Sequence, residues 1–119
     1  MNSYILHITP KTDWTAGLKA GQYSADSLEG QGFIHCSTPE QAIRVADNYY
    51  AGQHGLVLLK IDPERLQPEL RWEPGTDLPT QLFPHVYGPI NLDAVVNVID
   101  FEPDGKGKFH LPGDLQITR

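Results

Sequence analysis

Three histidines, His7, His35 and His85, each sit in a short run of strand-forming residues: YILHI at 4–8, GFIHCS at 32–37 and FPHVYGPI at 83–90. Imidazole titrates near neutral pH, so each can give or take a proton under ordinary conditions. If the three strands lie side by side, the rings face one cleft together with Ser37, Tyr87 and Glu73. The alternative for each is a strand-end ring satisfied by a backbone carbonyl.

Strand alternation sorts the neighbours of His35. Cys36 falls on the opposite face, with Ile34, and reads as a small buried residue more readily than as a nucleophile, which would need an adjacent base. Ser37 returns to the face of His35 as a hydrogen-bond donor for the same ligand. Adjacent His35 and Cys36 cannot both reach one ion, and the chain has neither a CxxC unit nor a His pair at helical spacing, so no metal site is expected. Glu73, in RWEPG, is a candidate for acid–base work, with pairing to Arg71 or solvent exposure as its alternatives. Trp72, Tyr23, Phe83 and Tyr87 offer flat faces to a base or nicotinamide ring, or pack in the core. The sequence lacks GxGxxG and GxxxxGK[ST], which argues against a Rossmann or P-loop site.

These residues need elements to hold them. Residues 4–8 read as a first strand. Thr9 suits a helix N-cap and Pro10 a first helical position, giving a helix over 10–20 with Trp14 and Leu18 on its core face and Gly21 at its end. A Ser-, Gly- and Asp-rich loop then leads to GFIHCS. Thr38 and Gln41 spell a capping box, which accounts for Thr38 structurally. The stripe of Ala42, Ile43, Val45, Ala46, Tyr49 and Tyr50 continues that second helix as far as Gly52. The apolar run 56–62 predicts a central strand buried on both faces. Residues 69–73 alternate as a more exposed strand, followed by a turn-rich stretch at 74–80. In 83–90, Phe83, His85 and Tyr87 share one face with Val86 opposite. A short helical or turn segment precedes a last strand at 95–101. The order of helices early and strands late predicts an α+β fold. The whole of 1–119 is read as one domain, with a core over about 4–101 and a Gly/Pro-rich extension at 102–119 carrying a small hairpin or a loosely packed end.

Composition narrows the partners. With 15 acidic residues against 9 lysines and arginines, the net charge of -6 makes a nucleic-acid backbone an unlikely partner and favours a small molecule or nucleotide. No apolar segment approaches the roughly 20 residues that span a bilayer. One cysteine and an N-terminus without a basic, apolar leader favour the cytoplasm.

The words YILHIT, GFIHCSTPEQ, LVLLKIDP, LRWEP, LFPHVYGPI and AVVNVIDF, in this order over 4–101, resemble the bacterial domain-of-unknown-function 952 family. The resemblance implies a fold similar to the ADP-ribosyltransferases: an α+β, split pair of β-sheets, here with two early helices, clasping an NAD-shaped cleft. By that likeness His7 matches the position that holds the adenosine ribose, and His35, Ser37 and Thr38 match the segment lining the ribose and nicotinamide. His85 stands where a catalytic glutamate is expected. Cleaving the nicotinamide bond develops positive charge on the ribose, which a carboxylate stabilises far better than a neutral imidazole. Ordinary ADP-ribosyl transfer is therefore doubtful unless Glu73 substitutes by geometry.

Three expectations follow. The first is a protein of transferase-like fold whose His7, His35, Ser37, His85 and Tyr87 line a cleft that binds or acts on NAD, ADP-ribose or a related small molecule; as an ADP-ribosyltransferase-like or NAD-cleaving enzyme with NAD as substrate, it would use His7 to orient a ribose, His35 or His85 as acid or base, and Tyr87 to stack or donate. The second is a non-catalytic small-molecule binding module that keeps the cleft. The third is a structural or interaction protein, in which the histidines lie apart.

Overall fold

The computed structural model describes residues 4–75 and 79–115. The chain runs β1 (Ile5–Pro10), α1 (Lys11–Ala20), β2 (Gln22–Tyr23), α2 (Asp26–Gln31), β3 (Ile34–His35), α3 (Pro39–Tyr49), β4 (Leu56–Ile61), β5 (Glu69–Pro74), β6 (Leu82–Tyr87), β7 (Ile90–Asn91) and β8 (Val95–Phe101). The fold is α+β. Its strands form antiparallel sheets: one of order β1-β4-β8, one of order β3-β6-β5, and a two-stranded ribbon of β2 and β7. The ribbon goes beyond the two-sheet expectation.

β4 is the middle strand of its sheet because LVLLKI is apolar on both faces, and both faces are covered. On one side Ile5, Val57, Leu59 and Ile61 pack with Trp14, Tyr23, Ile34, Cys36, Val86 and Ile90. On the other, Leu6, Ile8, Leu56 and Leu58 pack with Ala42 and Ala46 of α3 and with Phe101, Phe109 and Leu115. The two three-stranded sheets meet at one bridge, where Leu6 and Ser37 exchange backbone hydrogen bonds of 2.7 and 2.8 Å. Beyond it they part, and the cleft opens there.

Several sequence expectations are corrected. Thr9 and Pro10 belong to β1, and α1 begins at Lys11 without a side-chain cap, because its N-cap is Pro10, which has no side-chain acceptor, while the Thr9 hydroxyl is bonded to Tyr23. Leu18 is 51% exposed; the second core contact of α1 is Gly17, set against the backbone of Tyr23. The stretch taken as a loop contains β2 and α2, so the described residues form three α-helices, not two. Its Ser and Gly residues hide a short helix ended by Gly32 at φ 88°. Residues 76–78 of the turn-rich stretch lie outside the described residues.

The segment after Phe101 turns tightly, with the Asp104 N–H donating to the Lys108 carbonyl, and it brings Phe109 and Leu115 into the core. Phe109 stacks on Phe101 with centroids 4.7 Å apart, and its N–H donates to Asp47. The core therefore runs past residue 101.

Candidate functional site

β3 and β6 pair antiparallel with His35 directly opposite His85, and β6 pairs with β5 so that Arg71 faces His85 and Glu73 faces Phe83. Alternation then turns Ile34 and Val86 into the core and puts His35, Phe83, His85, Tyr87 and Glu73 together on the other face. The His35 and His85 rings meet edge to face, 5.7 Å between centroids.

His85 is 5% exposed. Phe33 lies flat on it at 4.0 Å, and its Nδ1–H donates to Glu73 Oε1 at 2.9 Å. The Tyr87 hydroxyl donates to the same oxygen at 2.5 Å. These two bonds, that of Tyr87 first, hold the Glu73 carboxyl below its usual range, and the carboxylate in turn raises the Tyr87 hydroxyl. Arg71 does not pair with Glu73. It forks onto Glu69 at 2.9 and 3.0 Å and lies over the Tyr87 ring.

With Nδ1–H committed to a carboxylate, the neutral His85 ring has Nε2 as its acceptor. No described buried side-chain nitrogen or oxygen lacks a partner, so Nε2, which has none among the described residues, is not fully enclosed, and His85 lines the cleft. A base held in one tautomer by a carboxylate, with its other nitrogen facing a cavity, is equipped to take a proton from a bound molecule and to be stabilised as the cation. Ser37, 5% exposed and lining the same cleft, likewise has no partner for its hydroxyl among the described residues.

His7 lines the cleft too, but both its nitrogens are engaged. Nδ1–H donates to the His35 carbonyl at 2.6 Å, and Nε2 lies 2.7 Å from the Tyr23 hydroxyl, which is 2.8 Å from Thr9 Oγ1. A carbonyl can only accept, so the neutral ring has Nε2 as acceptor; Tyr23 donates to it and Thr9 donates to Tyr23. Burial brings His7 down to about 4, opposed in part by the hydrogen bond to the His35 carbonyl and aided slightly by the neighbouring His35 ring. His35, exposed, donates from Nε2 to Gln31 Oε1 at 2.5 Å, and burial and the neighbouring His85 lower its pKa.

The cleft has a volume of about 640 Å³. It brings together His7, His35, Ser37 and His85 of the expected residues. Glu73 and Tyr87 stand behind His85 and do not line it, and Trp72, 46% exposed, lies on the opposite face of β5, across from Pro84. Cys36 does line the cleft, yet it is buried and its thiol is pushed up to about 12 by burial. Tyr23 as the partner of His7 and Phe33 as the platform for His85 were not singled out for those roles. For Phe33 the signal was present, since it alternates with Ile34 onto the face of His35. Among the described residues no group of three or more His, Cys, Asp or Glu is placed to hold a metal ion.

Fold and site together define an α+β protein with two three-stranded antiparallel sheets, parting at a histidine-lined cleft. The chain belongs to the family described as protein of unknown function (DUF952), whose model matches residues 8–98. It is similar to the X-ray crystal structure of protein CC0527 from Caulobacter crescentus, with 32% identity and a TM-score of 0.85 over 95% of this chain and 98% of that one. The solution NMR structure of CC0527 gives 33% identity and a TM-score of 0.79 over 93% and 94%. No curated protein matches the chain. No described helix is long and apolar enough to cross a membrane.

Proposed function

We propose that this protein is a cytoplasmic member of an ADP-ribosyltransferase-like superfamily whose cleft binds NAD, ADP-ribose or a related nucleotide, with His85 as acid or base. The observation that carries this reading is the Glu73–His85 pair, which leaves Nε2 open to a cavity that also holds a free Ser37 hydroxyl. The volume of about 640 Å³ falls within the roughly 300–1,000 Å³ of small-molecule sites. Phe83, Tyr49 and Tyr50 on its lining supply flat surfaces for a base. In this assignment His7 shapes the floor, because its nitrogens are already spent on His35 and Tyr23, and His85 is the ring that meets the substrate. Incubation with NAD tests the enzymatic form: nicotinamide release is expected from the native chain and not from His85→Ala, and equal release from both would sink it.

A non-catalytic binding module is the second reading. It is favoured by the direction of the Glu73 carboxylate, which is turned to His85 and Tyr87 and so stands one ring away from any cation forming in the cleft. That reading expects thermal stabilisation without turnover, about 2.7 kcal/mol for a ligand at 100 times its Kd.

A further inference from the structure

The walls of the cleft differ in charge. On α3, residues 41, 44, 45 and 48 recur at helical spacing on its cleft side, and among them Arg44 and Asn48 are exposed. Arg44 is the one lysine or arginine among the described lining residues. Neither it nor Asn48 has a side-chain partner among the described residues. The other two described arginines are neutralised, Arg65 by Asp62 and Arg71 by Glu69. The acids of the cleft, Asp13 on α1 and Asp26 on α2, belong to other elements.

We propose that Arg44 and Asn48 form a subsite for the phosphate or pyrophosphate of the ligand. A guanidinium grips phosphate oxygens through two parallel N–H donors, and its partner-free state means that no internal ion pair must be broken first. Asn48, one turn further along α3, adds an amide donor. Asp13 and Asp26 repel an anion and accept from hydroxyls or cations, so a molecule with one anionic end and one hydroxylated end enters in a single orientation. The Ser37 hydroxyl, two residues before α3 and lining the same cleft, is a further donor.

The anion subsite stands on Arg44 and Asn48, while the nucleoside part of the ligand rests on the nucleotide reading above, and the test separates them. Titration calorimetry at low ionic strength would measure inorganic pyrophosphate, ADP and adenosine against the native chain, Arg44→Gln and Arg44→Lys. The expected result is that Arg44→Gln weakens pyrophosphate and ADP about tenfold or more and leaves adenosine unchanged. Arg44→Lys should retain part of the affinity, and the melting temperature should not move, because the side chain is exposed and unpaired. Equal binding of pyrophosphate and ADP by native chain and Arg44→Gln overturns the subsite, as does failure of the native chain to bind either. Arg44-dependent pyrophosphate binding, with ADP no tighter than pyrophosphate and no binding of adenosine, supports the subsite and overturns the nucleotide reading.

Discussion

At the scale of the residue, the histidines divide by what their nitrogens touch. His85 has one nitrogen on Glu73 and one on the cleft, whereas His7 is enclosed on both sides. Glu73→Gln exchanges a carboxylate that can only accept for an amide with both roles, so the His85 tautomer should lose its bias toward Nδ1–H; nitrogen-15 NMR of the imidazole reads this directly. An unchanged tautomer would show that Glu73 does not set it. His7 has its own signature. Its folded pKa of about 4 lies below the ordinary 6.5, so between these values the unfolded chain binds the proton and the folded one resists it. Stability from this group is complete above about 6.5 and is lost as pH falls toward 4, on the order of 3 kcal/mol in all. His7→Gln should flatten that slope in denaturant melts at pH 7 and pH 5. Tyr23→Phe should cost about 1–3 kcal/mol, because it strips the buried Nε2 and Thr9 of their partner.

At the scale of the element, α3 and α1, which both contribute lining residues to the cleft, are held by different means. α3 starts from a complete capping box: Thr38 accepts from the Gln41 N–H and the Gln41 side chain accepts from the Thr38 N–H, while its amide also donates to the Leu82 carbonyl. Thr38→Ala should cost about 1 kcal/mol by chemical denaturation. α1 instead relies on closeness. A Cβ on Gly17 would sit 3.1 Å from Tyr23 Cα and 3.3 Å from the Gln22 carbonyl, both backbone-anchored. Gly17→Ala should therefore destabilise by about 1–3 kcal/mol, against the sign that helix propensity alone gives. The same contrast explains what could be read from the sequence. The box at Thr38–Gln41, the strand at 56–61 and the shared face of Phe83, His85 and Tyr87 follow from local chemistry or simple periodicity, and each is present. The exposure of Leu18, the loss of Thr9 as a cap and the pairing of Glu73 with His85 depend on which element arrives from elsewhere in the chain. No local pattern encodes that arrival.

At the scale of the molecule, the last described residues complete a core that the central strand cannot close alone. Phe109→Ala should cost about 3–5 kcal/mol, as expected for an aromatic buried at 2% exposure, and a chain cut after residue 102 should melt far below the native one. The backbone joint between the two larger sheets is small by comparison: the Leu6 and Ser37 amides, each bonded to the other's carbonyl, beside the His7 bond to the His35 carbonyl. Those two amides sit on the boundary where the sheets separate, so their deuterium uptake reports how often the halves breathe apart. A molecule that fills the cleft and touches both halves must slow exchange at Leu6 and Ser37 together. One that rests on α3 alone would leave them unchanged.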